Sequence, residues 1–173
     1  MIILYILLGL LAAVLILAAL RPNTFTVQRQ AVINAPADRI FPLINDFHKW
    51  EAWSPWDKMD PGMKRTYSGA ENGPGAKYAW LGNKKVGEGS MEILSAQHPT
   101  KVTIKLDFLK PFEAHNTTSF TLTPAQNGTT VEWMMTGPAN FMTKLFGLLF
   151  NMEKMVGKDF ERGLANLKEA CAK

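Results

Sequence analysis

The side chains best suited to proton transfer in this chain are its three histidines, His48, His98 and His115. Imidazole titrates near neutral pH, where general acid and base catalysis is most effective. None of the three sits in a pattern that commits it to that work. His48 falls at a polar helix end in Asn45-Asp46-Phe47-His48-Lys49, and His98 precedes Pro99 in a turn. Glu113 and His115 share a strand face and have the spacing of an acid/base pair. Their parity is opposite to that of Phe120 and Leu122, so they point away from an apolar interior. No His, Cys, Asp or Glu cluster has metal-ligand spacing, and no metal is expected. Neither Gly73-Pro74-Gly75 nor Gly87-Glu88-Gly89 opens a strand-to-helix turn, so no nucleotide cofactor is implied. The single cysteine, Cys171, lacks an evident activating base and cannot close an internal disulfide.

Aromatic and apolar residues offer more than the titratable ones. Trp50, Trp53 and Trp56 recur at a spacing of three. They either line a cavity mouth with large apolar rings that carry a polar edge, or fasten short helices to a sheet. Tyr78 and Trp80 share a strand face, with Tyr67 near by, and serve as cavity wall or as ordinary cross-strand packing. Met134, Met135, Met142, Met152 and Met155 form a Met-rich set suited to repacking around varied ligands, although most such methionines are core filler.

The elements that must position these groups follow from hydrophobic period. Phe25 to Ile33 reads as a first strand, with Phe25, Val27, Ala31 and Ile33 on one parity. One or two short helices run from Pro36 to about Trp53, with Asn34 as cap and Pro42 at a kink or a first turn. Ser54 to Gly62 reads as a turn. Six period-two segments follow at hairpin spacing: Met63 to Ser68, Lys77 to Leu81, Val86 to Ala96, Lys101 to Leu109, Glu113 to Thr123 and Thr129 to Thr136. Beyond Gly137-Pro138 the period becomes helical, with Phe141, Leu145, Leu148, Leu149, Met152, Met155, Val156, Phe160, Leu164, Leu167 and Cys171 on one stripe of a long, bent helix.

That helix must lay its stripe on the apolar face of the antiparallel sheet. Parity turns Val102, Ile104, Leu106 and Phe108 inward, together with Val131, Trp133 and Met135. It also turns Ala114, Asn116, Thr118, Phe120 and Leu122 inward, so the concave face is apolar with few polar points. Gly87 and Gly89 share parity with Met91 and Ile93, which either leaves room for a ligand or helix crossing, or eases sheet curvature.

Ahead of all this, Ile2 to Leu20 is a run of nineteen residues without a charge, in which only Gly9 is not apolar. Thirteen of them are Leu, Ile or Val, worth about −4 to −8 kcal/mol of insertion free energy. The run spans a hydrocarbon core as a helix. It lacks the positive n-region and small-x-small step of a cleaved signal. Residues 1–21 therefore read as a membrane anchor and residues 22–173 as one domain, a single-pass arrangement in which residues 2–20 meet the lipid bilayer. Arg21 and Arg29 follow the span, which places the domain in the cytoplasm. The remainder carries an ordinary density of charge, which excludes bulk disorder. The net charge of +4 comes without a basic, aromatic-interleaved stripe, so no nucleic acid partner is indicated.

The strand ending Ile33-Asn34-Ala35-Pro36-Ala37, then Ile40-Phe41, Ile44-Asn45-Asp46-Phe47 and Trp50-Glu51-Ala52-Trp53-Ser54-Pro55-Trp56, resembles the polyketide cyclase/dehydrase-like branch of the SRPBCC (START-like) superfamily. The resemblance runs from Phe25 to Ala172. It implies an α+β helix-grip fold: a curved antiparallel sheet of about seven strands wrapped around a long C-terminal helix, here preceded by one transmembrane helix. It also implies a hydrophobic cavity between sheet and helix, whose candidate lining is Trp53, Trp56, Tyr78, Trp80 and Met91, then Leu106, Phe108, Asn116, Thr118 and Phe120, then Trp133, Met135, Phe146 and Met152. Superfamily members include lipid and sterol carriers, polyketide cyclases, quinone-binding proteins, oxygenase domains and hormone receptors, and fold alone does not choose among them. Three functions stay open. The first is a membrane-anchored binder of a hydrophobic small molecule such as a lipid, isoprenoid or quinone-like compound. The second is a cyclase or dehydratase in which Asn116, Tyr78 or a buried carboxylate polarises the substrate. The third is an interaction or chaperone-accessory domain with a filled core.

Overall fold

The computed structural model describes residues 2–149 and 152–172, apart from the side chains of Phe146, Leu149 and Met152. Its helices are α1 (Ile2–Ala19), α2 (Ala37–Ile44), a 3₁₀ helix (Phe47–Ala52), α3 (Pro55–Met59), α4 (Phe141–Leu149) and α5 (Met152–Ala172). Its strands are β1 (Thr24–Ile33), β2 (Lys64–Gly69), β3 (Ala76–Leu81), β4 (Glu88–Gln97), β5 (Lys101–Lys110), β6 (Ala114–Ala125) and β7 (Gly128–Pro138). The strands form one antiparallel sheet in the order β1-β7-β6-β5-β4-β3-β2. Every neighbour but one is sequential, as consecutive hairpins require. The exception is β1, which pairs with β7 and brings the two ends of the domain together.

Several expected features differ. Ser54 to Gly62 is not simply a turn: Pro55 occupies the first turn of α3, where its missing N–H costs no hydrogen bond. Pro36, not Asn34, precedes α2, and Pro42 lies inside that helix. The expected long C-terminal helix is seen as α4 and α5, and residues 150–151 between them lie outside the described residues. Phe141, Met142 and Met155 are not core filler, being 45%, 53% and 63% exposed. Phe160, Leu164, Leu167 and Cys171 do keep to the buried stripe.

Strand alternation and register arrange the inner face in rows. Val102, Phe120 and Trp133 make one row. Ile93, Ile104, Thr118, Met135 and Val27 make the next. Tyr67, Tyr78, Met91, Leu106 and Asn116 make a third, and Arg65, Trp80, Gly89, Phe108 and Ala114 a fourth. The fourth row borders the rim formed by the start of β1, the end of β7, the β5–β6 turn and the β3–β4 turn.

The connection from α1 also reaches that rim. Arg21 Nη1 donates to the Gly147 carbonyl at 2.7 Å, and Lys144 Nζ donates to Asn23 Oδ1 at 2.6 Å. The Ala139 N–H donates to the Asn23 carbonyl at 2.8 Å. These three bonds fasten the base of α1 to α4. Arg29, on the inner face of β1, pairs with both Glu153 and Glu161 of α5, so it also joins sheet to helix.

Candidate functional site

The inner face divides into a filled half and a partly covered half. In the filled half Trp133 lies flat on Phe160, with ring centroids 4.1 Å apart and planes 6° apart. Trp53 meets Trp133 and Phe120 edge-on at 5.6 and 5.9 Å, and Trp56 meets Trp133 and Phe160 edge-on at 5.8 and 6.5 Å. Edge and offset contacts suit the aromatic quadrupole. Trp133 Nε1 donates to Thr118 Oγ1 at 2.9 Å, and Thr118 donates onward to the Met134 carbonyl at 3.0 Å. Burial leaves both polar groups partnered. Trp50 and Trp53 donate to the Ile44 and Leu43 carbonyls, each at 2.9 Å. Those bonds satisfy the open C-terminal end of α2 and tie the 3₁₀ segment to it, while the rings of Trp50 and Trp53 pack on Phe120 and Trp133 of the sheet.

The other half holds Tyr78, Trp80, Met91, Leu106, Phe108 and Asn116. Val102 and Ile104 on β5 are fully buried, whereas Leu106 and Phe108 on the same face are only partly so. Tyr78 stacks on Trp80 at 5.9 Å, and Trp80 meets Phe108 edge-on at 5.9 Å. Burial pushes the Tyr78 hydroxyl far above its ordinary pKa, so it remains a neutral phenol. Gly89 leaves no gap for a ligand: a Cβ there would lie 2.6 Å from Trp80 Cη2, because the indole occupies that space.

Asn116 is the polar point of this half. It is 5% exposed, and its Oδ1 is buried with no hydrogen-bond partner. A buried carbonyl left in that state costs about 1–3 kcal/mol. Gly137 on β7 makes room for it, since a Cβ at that position would overlap Asn116 Oδ1 and approach Phe25 Cε1 at 2.8 Å. The sheet thus holds an unsatisfied hydrogen-bond acceptor over Gly137 and near Phe25, on the strand next to Leu106 and in the same cross-strand row as Met91 and Tyr78. Phe146 and Met152, expected to line the same space, have side chains outside the described residues.

Parity did not reveal one polar cluster. Asp57 on α3 is 9% exposed and accepts from Arg65 Nε at 2.7 Å and also from Nη2. Arg65 Nη1 also donates to the Met63 carbonyl at 3.2 Å. The pair fixes α3 against β2 beside Tyr78. An Arg at alternate spacing from Tyr67 was its only sequence signal.

The histidines lie elsewhere. His115 projects from the outer face, with Nδ1 2.8 Å from Asp107 and Nε2 3.3 Å from Glu113. The hydrogen bond to Asp107 holds its pKa above the usual histidine value. Burial alone raises the Asp107 pKa, but hydrogen bonds from Lys105 and His115 outweigh it and hold the carboxyl below its ordinary range. His48 stacks on Tyr67 at 4.2 Å and contacts Asp46, and His98 meets Phe41 edge-on at 4.8 Å. An open depression of about 200 Å³ is lined by Phe41, Pro42, Asn45, Asp46, Lys49, Asn72 and His98. None of the expected cavity residues borders it. Among the described residues no group of three or more His, Cys, Asp or Glu is placed to hold a metal.

Residues 24–172 match the family model described as polyketide cyclase/dehydrase and lipid transport. The chain belongs to that family. Solved structures with the same fold include one from Thermobifida fusca, at 20% identity and a TM-score of 0.64 over 84% of this chain and 92% of that one. A protein from Mesorhizobium loti has 16% identity and a TM-score of 0.62, covering 84% and 95%. The Aha1 dimer from Colwellia psychrerythraea has 13% identity and a TM-score of 0.60, covering 85% and 96%. No curated protein matches the chain. The family and fold are those of a hydrophobic-ligand-binding domain, and α1 is long and apolar enough to cross a membrane.

Proposed function

We propose that this protein is a membrane-anchored binder of a hydrophobic or amphipathic small molecule, with residues 1–21 as the anchor and residues 22–173 as the binding domain. The ligand lies against the inner face at Tyr78, Trp80, Met91, Leu106 and Phe108, and a hydrogen-bond donor on it meets Asn116 Oδ1. The observation that carries this reading is the unpartnered Asn116 carbonyl in a partly covered apolar setting. Ligand pockets are mostly apolar with a few placed polar groups, and a donor on the ligand removes the desolvation cost this oxygen otherwise bears. Lipids, isoprenoid alcohols and reduced quinones with a hydroxyl have the required chemistry. The filled half, built on Trp53, Thr118, Phe120 and Trp133 beside Met135, supplies the rigid wall. Arg21 and Arg29 after the span favour a cytoplasmic domain.

Native mass spectrometry with organic extraction, on the full-length protein purified from its own membrane in mild detergent, tests the reading. A discrete adduct in the wild type that is lost from folded Asn116→Leu and Phe108→Ala supports it. An adduct retained in both variants, or no adduct in the wild type, overturns it and favours the filled-core interaction domain.

A further inference from the structure

The rim of the sheet that receives α1 carries apolar side chains at its turns. Phe112, in the β5–β6 turn, is 77% exposed. Phe141 and Met142, which open α4 just after β7, are 45% and 53% exposed. Register brings these segments together: Phe108 pairs with Ala114 across the β5–β6 turn, and Thr24 pairs with Pro138 at the junction with α4. Lys84 and Lys85, both exposed, occupy the β3–β4 turn of the same rim. The opposite rim is different. Its turns at 70–75, 98–100 and 126–127 contain no large aliphatic or aromatic carbocyclic side chain.

Only residues 20–23 separate the end of α1 from Thr24. Four residues reach at most about 14 Å when fully extended, and this linker is not free to extend. Arg21 and Asn23 are bound to Gly147 and Lys144 of α4 and to Ala139 just ahead of it. A span in the bilayer therefore holds this rim at the headgroup region rather than far out in water.

We infer that this rim is a second bilayer-contact surface, with Phe112, Phe141 and Met142 entering the interface and Lys84 and Lys85 meeting anionic headgroups. This rests on the proposed anchoring of α1. Aromatic and thioether side chains at a membrane boundary are removed from water, and lysines near an anionic surface add attraction. The arrangement also serves the proposed site. Trp80 and Phe108 lie in the row next to this rim, so a hydrophobic ligand passes between the acyl region and the inner face along a short apolar path. The rim determines the route of exchange, with entry from the bilayer rather than from solution.

The test uses the full chain in vesicles of phosphatidylcholine and phosphatidylglycerol. Nitroxide labels are attached one at a time at Phe112→Cys, Met142→Cys, Asn127→Cys and Leu10→Cys in a Cys171→Ala background. Power saturation compares collision with oxygen, which concentrates in lipid, and with a water-soluble nickel chelate. Labels at 112 and 142 are expected to favour oxygen several-fold over the label at 127, with the label at 10 deepest. Profiles at 112 and 142 matching 127 while 10 remains lipid-exposed overturn the inference and leave the anchor standing. Shielding of 112 and 142 from both reagents also overturns it, because protein then covers the patch. A water-exposed label at 10 overturns the anchor and this inference together.

Discussion

Trp133 on β7 and Phe160 on α5 are stacked face to face, 4.1 Å between ring centroids. That contact joins the longest helix of the domain to the strand that pairs with β1. Around it pack Trp53, just after the 3₁₀ helix, Trp56 of α3 and Phe120 of β6. Replacing Trp133 with Ala removes the ring and leaves Thr118 without its donor. The expected loss is about 3–5 kcal/mol of unfolding free energy, the range for deleting a large buried aromatic. Urea unfolding of the detergent-solubilised full chain measures it. A loss well below 1 kcal/mol shows that the cluster does not hold helix and sheet together.

Asn116→Leu moves stability in the opposite direction. With no partner for Oδ1, an apolar side chain of similar size relieves a desolvation penalty, and the ligand-free protein gains about 1–3 kcal/mol. The same substitution removes the acceptor proposed to hold the ligand. Higher stability with lost binding marks a site maintained for function against stability. Ligand-free unfolding curves that show the variant weaker than wild type mean that the carbonyl is already satisfied in the folded chain.

Gly89→Ala tests the packing of Trp80 across the strand pair. The new methyl meets the indole at 2.6 Å and also meets the Asp107 carbonyl, which is backbone and cannot swing aside. Overpacking of this kind costs about 1–3 kcal/mol. Near-ultraviolet circular dichroism reports the displaced indole, and thermal unfolding reports the cost. An unchanged spectrum and midpoint contradict the close packing described for this face.

His115 titrates above the usual histidine value of about 6.5, because Asp107 hydrogen-bonds its protonated ring. A histidine raised in the folded state contributes stability below its unfolded pKa and loses that contribution as pH rises through the folded one. The window therefore opens near pH 6.5 and extends upward. Histidine ring resonances followed by NMR are expected to show a raised midpoint in the wild type and an ordinary one in Asp107→Asn. Equal midpoints in the two proteins remove Asp107 as the cause.

Strand parity is local, which is why so much of the sheet can be read from sequence. Val102 through Phe108 and Asn116 through Leu122 alternate strictly, and each side chain faces where alternation sends it. The same rule places Glu113 and His115 on the outer face. Features that depend on distant segments are harder to read. Asp57 and Arg65 form their ion pair only once α3 docks on β2, and Ser54-Pro55 looks like a turn until that docking is known. Arg29 draws attention as a charge after a membrane span, yet it shares parity with Val27 and lies beneath α5 between Glu153 and Glu161. Gly157, between those two glutamates in the chain, leaves space for the guanidinium. The unsatisfied state of Asn116 is likewise invisible in sequence, because parity gives a direction and says nothing about partners.

The pairing of β1 with β7 also has a temporal consequence. Ile33 meets Thr129 and Thr24 meets Pro138, so the first strand made pairs with the last. At roughly 5–20 residues per second, the separation of about a hundred residues keeps β1 waiting for about 5–20 s during synthesis. Throughout that interval its hydrogen-bonding edge is open, and open edges recruit other chains. Under the proposed anchoring of α1, the nascent strand waits beside the membrane while the hairpins β2 to β6 form without it. The sheet closes only as β7 emerges, which ties its completion to the synthesis of its last strand.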